Sequence, residues 1–381
     1  MGLRIGILGT RGIPNYYGGF EQISAYLAKG LAERGHSVSV YNSHNHPWEQ
    51  KEWNGVQIIH CYDPEYILGT AGQFIYDFNC IRDARKRHFD VLLIMGYTSS
   101  SIWGRLYPKD TRVITNMDGL EWKRSKYPRP VQRFLRYAEK LAIQYSDAHI
   151  ADSLGIRDYL LQKYHIQASY IPYGAEITLT GNDAMMHSLG LTKGDYCLLI
   201  ARMEPENNIE MILSGFCQSN TTMRMVVVGN TENDFGRSVT QQFQQDTRIV
   251  FTGPVFDLPL LHSLRSNACL YFHGHSVGGT NPSLLEAMAD TVLIAAHDNP
   301  FNRAILEEDA LYFTNSIDIQ TIIETPSVAI THQHLSVNNF NKIVNVYNWQ
   351  SIVDRYEQFL FSQCNHPAIE EDFIHTGYVS Q

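Results

Sequence analysis

The sequence predicts an α/β fold in two domains. Three observations carry this. Short apolar segments suited to buried strands alternate with segments of helical spacing along most of the chain. The alternation starts afresh at Tyr196, beyond a hinge-like Pro172-Tyr173-Gly174. The 381 residues exceed what one hydrophobic core usually serves.

Composition narrows the function. Hydrophobic residues make up 44% and charged residues 18%, which suits a soluble globular enzyme. A formal net charge of -9 argues against general nucleic-acid binding. The six cysteines are scattered with no C-x-x-C pair, so reduced thiols, a cytoplasmic setting and no structural zinc are expected. The first strand begins at once, so no secretory signal is expected. No apolar run is long enough to span a bilayer, which leaves peripheral membrane contact open. No internal repeat or low-complexity segment is present.

In the first half, Leu3–Leu8 reads as a buried strand running into the loop Gly9–Glu21. Glycines at 6, 9 and 12 mimic a dinucleotide fingerprint, but Pro14 and two tyrosines interrupt the turn. The next strand, Ser37–Tyr41, ends without the acid that would hold a ribose. A longer loop fits better, with Gly18 and Gly19 opening a helix from about Phe20 to Arg34 and Gly35 ending it. Bare backbone at Gly18-Gly19 can approach a ligand closely. Strands are predicted at Val56–His60, Val91–Ile94 and Arg112–Thr115, and a helix over Gly72–His88.

Asp118 follows a strand's carboxyl end and precedes glycine, where open α/β sheets put active sites. An Asx turn is the other reading. A basic stretch comes next, including Arg124 and Lys126, with Arg129, Arg133 and Arg136 beyond. It suits an acidic substrate or anionic lipid heads, or else forms the solvated face of helix Val131–Ser146. Strand Ala148–Ala151, helix 153–163 and strand Ala168–Ile171 complete this half.

In the second half, strand Cys197–Ala201 delivers Arg202 to its carboxyl end. A guanidinium there can neutralise phosphate, or pair with Glu204 or Glu206. Strands Met223–Val228 and Arg248–Phe251 follow, and a base could lie against the backbone at Gly253. Asp257 caps a helix through Leu264. Then comes Tyr271–Asp290, YFHGHSVGGTNPSLLEAMAD. A strand from Ala268 to Phe272 enters a loop with Gly274, Gly278 and Gly279. Asn281 and Pro282 suit the N-cap and first turn of a helix. Such a loop offers free N–H groups and a positive helix end to an anion. Glu286, one turn inside, can accept hydrogen bonds from sugar hydroxyls. An ordinary strand-loop-helix connection is the alternative. Short strands at Val292–Ala295 and Leu311–Phe313 and helices at about 333–344 and 349–360 end the pattern.

On PNYYGGFE, YIPYG, ARMEPENN and SLLEAMA, in that order and spacing, the chain resembles the retaining GT-B glycosyltransferases of glycosyltransferase family 4. The likeness runs from Leu3 to about Phe361. With NMDGLEW and HGHSVGGTNPSLLEAM added, it further resembles bacterial rhamnosyltransferases that build cell-surface polysaccharides on a lipid carrier.

The resemblance implies two Rossmann-like, doubly wound domains facing a cleft. Residues 1–172 form the acceptor side and 173–345 the nucleotide-sugar side. Residues 346–381 hold a helix packing back on the first domain, and a tail. Arg202 and the backbone of Gly278, Gly279, Thr280 and Asn281 bind the pyrophosphate, Glu286 holds the ribose, and Gly18 and Gly19 close on the phosphates. Asp118 stands where many relatives have a histidine near the reacting sugar. The resemblance implies no cofactor and no metal, because cation and helix dipole stabilise the leaving diphosphate. It also implies attack on the face the leaving group departs from, with the donor phosphate taking the acceptor's proton. Two departures matter. The first glutamate of the family's E-x7-E pair is Gly278 here, and the lysine five residues after the arginine is Asn207. Either the enzyme is dead, or the donor sugar differs and Arg11 or other groups cover the phosphate. The function implied is transfer of rhamnose from dTDP-rhamnose to a lipid-linked saccharide. The setting is the cytoplasm, with peripheral contact at the inner face of the membrane. Alternatives are a nucleotide-sugar 2-epimerase of the same fold and a degenerate transferase acting as an assembly partner.

Overall fold

The computed structural model describes residues 2–16, 18–117, 119–124, 127–177, 186–187, 189–325 and 327–365. Asp118, Lys126 and the tail from His366 lie outside the described residues.

The first sheet has eight strands: β1 Arg4–Leu8, β2 Ser37–Ser43, β3 Glu52–Trp53, β4 Val56–Cys61, β5 Val91–Met95, β6 Arg112–Asn116, β7 Ala148–Ala151 and β8 Ser169–Tyr170. Their order is β3-β4-β2-β1-β5-β6-β7-β8, and every pair is parallel except β3 with β4. Strands enclosed on both faces must be apolar throughout, and β5, VLLIM, is buried at all five positions. The second sheet has six strands: β9 Tyr196–Ile200, β10 Arg224–Val228, β11 Ile249–Gly253, β12 Leu270–His273, β13 Ile294–His297 and β14 Leu311–Phe313. Their order is β11-β10-β9-β12-β13-β14, parallel throughout. Order reverses beside the first strand of each sheet, β1 and β9, which is where such sheets open a ligand crevice.

Five helices of the first domain matter below: α1 Gly19–Glu33, α2 Glu65–Leu68, α3 Gly72–Ala84, α4 Arg129–Tyr145 and α5 Leu154–Tyr164. Predicted helices match α1, α3, α4 and α5 within a few residues, and α2 has no counterpart among them. The strand expected at Ala268–Phe272 begins two residues later and runs through His273. The helix expected to His88 ends at Ala84, and α1 ends before Gly35, whose φ of +87° suits glycine.

The last helix, Trp349–Asn365, packs on α1. Arg34 reaches Asp354 at 2.5 Å and Glu357 at 3.3 Å, and His36 Nε2 lies 2.8 Å from Glu357. Gly30 lets the helices meet: a Cβ there would lie 2.8 Å from Val353. Tyr26 of α1 stacks on Trp349 with centroids 4.3 Å apart. The two crossings between domains run side by side, with Ala175 bridged to Asn348.

Candidate functional site

The cleft is built from carboxyl ends of strands in both sheets. Gly18 precedes α1 with extended backbone, and Gly19 begins the helix. A Cβ on Gly19 would lie 3.6 Å from Pro282 Cγ, an ordinary contact. Pro282 begins the eight-residue helix Pro282–Ala289. The first residues of two helices, one from each domain, therefore meet at the cleft, and each helix end contributes partial positive charge and free N–H groups.

The loop Gly274–Asn281 is held from three sides. Asn208 Nδ2 donates to the Gly274 carbonyl at 2.7 Å, and Ser276 donates through N and Oγ to the Glu206 carbonyl at 3.0 and 2.8 Å. The Thr280 hydroxyl donates to the Asp152 carbonyl of the first domain. The Asn281 side-chain oxygen caps the helix, accepting from Ser283 N at 3.0 Å. A Cβ on Gly279 would lie 2.0 Å from Asp152 Oδ2, so only glycine lets this loop approach the buried carboxylate.

Gly278 is different. Its φ is +134° and a Cβ there would meet nothing within 4 Å. Gly119 lies opposite, where a Cβ would be 3.5 Å from Gly278 Cα. The space that the resembled family fills with a carboxylate is open between two glycines.

Arg202 sits exposed at the carboxyl end of β9. Asn207 is 4% exposed, and its Nδ2 donates 2.7 Å to the Arg202 carbonyl. Its amide braces the turn that carries Arg202. Arg124, read from sequence as facing acceptor or lipid, is mostly buried at the domain boundary, 2.7 Å from Glu121 and 3.7 Å from Glu206 of the second domain, which removes it from any lipid-facing surface. Arg11 is held by Glu65 in two hydrogen bonds of 2.8 and 2.6 Å.

Two histidines underlie the loop, their rings stacked with centroids 4.4 Å apart. Burial, then the fields of Arg202 and Arg124, push the His275 imidazole down to about 3. Burial and the neighbouring ring hold His273 well below the ordinary range. Both are neutral at pH 7, so the cationic charge here is guanidinium.

Glu286 projects to the cleft one turn into its helix. Its Oε2 accepts from Arg265 Nη1 at 3.0 Å, and its Oε1 lies 3.4 Å from Gln22 Nε2 of α1. Arg265 is buried and also donates to Asp290, so it orients Glu286 from behind. Gly253 ends β11 with φ +74°, and its carbonyl is taken by Gly229 N at 3.1 Å and the Thr252 hydroxyl at 3.0 Å, so only the space above its Cα is left for a base.

The segment around Asp118 is anchored on either side of that undescribed residue. Trp122 Nε1 donates to Glu139 at 3.1 Å, and Glu139 also accepts from Tyr159, Lys163 and Tyr164. Asp152, Gln22 and Arg265 were not read from sequence. Asp152 carries the signal used for Asp118, an acid directly after a parallel strand. Among the described residues no three His, Cys, Asp or Glu side chains converge as a metal site. A cavity of about 730 Å³ lined by Lys193, Met223, Cys269 and Ile330 lies at the opposite, amino edge of the second sheet.

Known structures resemble this architecture over nearly its whole length. Sucrose-phosphate synthase from Thermosynechococcus elongatus superposes with a TM-score of 0.75 at 17% identity, covering 94% of this chain and 98% of that one. HepE of Anabaena, in complex with UDP and glucose, gives 0.74 at 17% identity, covering 94% and 100%. An α,α-trehalose-phosphate synthase (UDP-forming) from Burkholderia vietnamiensis gives 0.69 at 10% identity, covering 94% and 100%. The fold is GT-B. Residues 3–176, the first GT-B domain, match the family described as Domain of unknown function (DUF1972). No curated protein matches the sequence. Within the GT-B frame, Gly18, Gly19, Arg202, Gly278, Gly279, Thr280, Asn281 and Glu286 all border the one interdomain cleft. Gly253 stands farther along the same carboxyl edge, at the end of β11.

Proposed function

We propose that this protein is a glycosyltransferase using a nucleotide-sugar donor. The observation that carries the reading is the pair of helix N-termini at Gly19 and Pro282, brought together from the two domains. Glu286 comes within 3.4 Å of Gln22 in α1, and Arg202 is close enough to His275 for its field to act on that ring. An anion bound beside the meeting point feels dipoles from both domains, and a diphosphate has the charge to profit from both. HepE, a neighbour of the same fold, has been captured with UDP-glucose.

In this reading Arg202 and the backbone of Gly279–Asn281 take the diphosphate and disperse its charge as the bond to the sugar breaks. Glu286, aimed by Arg265, accepts from ribose hydroxyls. Arg124 adds a second guanidinium from the acceptor-side domain, a supply consistent with lysine being absent at Asn207. The diphosphate takes the acceptor's proton, the sugar keeps its anomeric configuration, and neither metal nor other cofactor takes part. Asp118 orients the sugar. The donor is dTDP-rhamnose: the open space at Gly278 suits a sugar that needs no carboxylate partner there. The acceptor is a lipid-linked saccharide, met in the cytoplasm at the inner face of the membrane.

Purified protein should be incubated with dTDP-rhamnose, and separately with UDP-glucose, plus a lipid-pyrophosphate sugar. A rhamnosyl glycoside is the expected product. A free epimerised nucleotide sugar would make it an epimerase, and nucleotide binding without turnover would make it a binding partner.

A further inference from the structure

The first domain carries an exposed apolar surface on α2 that includes none of the residues assigned to the donor. In α2, Tyr66, Ile67 and Leu68 are 66%, 64% and 50% exposed in succession. Single exposed apolar side chains are ordinary, but a contiguous cluster marks a contact surface. Ile75, in the first turn of α3, is exposed beside them. The cluster rests on a firm base. A Cβ on Gly72 would lie 2.4 Å from Glu65 N, so the first turn of α3 is packed directly against α2.

Phe74, next to Ile75, packs edge-on against Phe134 of α4, with centroids 5.7 Å apart. This brings the start of α4 alongside. Arg129, Arg133, Arg136 and Lys140 recur at i, i+4, i+7 and i+11, which is one stripe of a helix, and all four are exposed. The single acid of α4, Glu139, is buried on the other side and bonded to Trp122, Tyr159 and Lys163. The stripe is thus a block of positive charge on a protein of net charge -9.

We propose that α2 and the basic stripe of α4 form one docking surface for an anionic lipid bilayer. Ile67 and Leu68 enter the boundary between headgroups and acyl chains, and the α4 cations lie against the headgroups. An apolar tip beside a cationic stripe is the combination interfacial binding requires, because neither signal alone holds a protein stably. Arg124 is not part of this surface, being enclosed by Glu121 and Glu206. The inference rests on the reading of a lipid-borne acceptor for its purpose, but its test does not need turnover.

The test is co-sedimentation of the full chain with vesicles of phosphatidylglycerol and phosphatidylcholine, against vesicles of phosphatidylcholine alone. Wild type should bind the anionic vesicles in low salt and release in high salt. Ile67→Ser with Leu68→Ser should lower binding at least about tenfold. Arg129→Gln with Arg133→Gln should lower it similarly and flatten the salt dependence. Both variants should keep the wild-type unfolding temperature and nucleotide affinity, since these side chains are exposed and none is among those assigned to the donor. Wild type that ignores anionic vesicles, or variants that bind as wild type does, would overturn the proposal. So would a lipid-free dimer that the Ile67/Leu68 variant dissociates, which would make this a face between two copies of the chain. Vesicle binding without any nucleotide binding would leave this inference standing and remove the transferase reading.

Discussion

The Asp152 carboxylate lies where a Cβ on Gly279 would come within 2.0 Å of its Oδ2. Asp152 follows β7 of the first domain and Gly279 lies in the loop after β12 of the second. The neighbouring Thr280 hydroxyl donates to the Asp152 carbonyl. The two domains are in contact at the loop that would receive the donor, and the contact depends on one missing methyl group.

Gly279→Ala should therefore force the loop off Asp152. Overpacking of this kind costs about 1–3 kcal/mol. The loss should appear as weaker nucleotide affinity in calorimetry and a lower unfolding temperature. Gly19→Ala is the contrast, because its Cβ would make an ordinary 3.6 Å contact with Pro282. Equal affinity for both variants would show that the Asp152 contact does not shape the site.

Glu286→Ala should lose about 1.5–3 kcal/mol of donor affinity, the scale of a charged hydrogen bond to a hydroxyl. It should also lower stability, since Arg265 is buried behind it and keeps only Asp290. Glu286→Gln preserves an acceptor for Arg265 and should restore stability more than affinity. Thermal unfolding and calorimetry on both variants separate these effects.

Arg202→Ala should weaken diphosphate ligands far more than the nucleoside. The side chain is exposed, so unfolding should be unchanged. A uniform loss across nucleoside, monophosphate and diphosphate would contradict a phosphate role.

Wild type should use dTDP-rhamnose at least about tenfold more efficiently than UDP-glucose, or roughly 1.4 kcal/mol in transition-state binding. Gly278→Glu should damage the rhamnosyl reaction. Crowding is not the cause, since no atom lies within 4 Å of a Cβ there. The cost is instead the backbone, since φ of +134° is a conformation L side chains rarely adopt. Measuring kcat/KM for both donors on wild type and variant tests the point.

Stability should fall as the solution is acidified from about pH 7 to pH 5. Burial holds the His275 imidazole neutral, down to about 3, whereas the unfolded chain takes up a proton near the ordinary value of 6.5. The contribution is complete above the unfolded value and is lost progressively as pH drops toward the folded one. His275→Gln should flatten this dependence. Melting temperatures at several pH values, with no difference in slope between wild type and variant, would contradict it.

The sequence by itself determined what local chemistry controls. Runs such as VLLIM set buried strands, and Asn281-Pro282 set the start of a helix, because caps and strands depend on neighbouring residues. Glu286 followed from periodicity, one turn beyond that cap. Tertiary structure decided the rest. Arg124 pairs with Glu206, Asp152 meets Gly279, and Arg265 aims Glu286. Asn207 braces Arg202 rather than pointing its amide at a ligand. The closest of the first three in sequence joins residues 21 apart, the other two lie across two domains, and even the Asn207 bond depends on how a turn closes. Residue type and spacing reveal which side chains can pair. Which pairs form depends on how two separately predictable sheets are brought face to face, and that arrangement leaves no periodic trace in the chain.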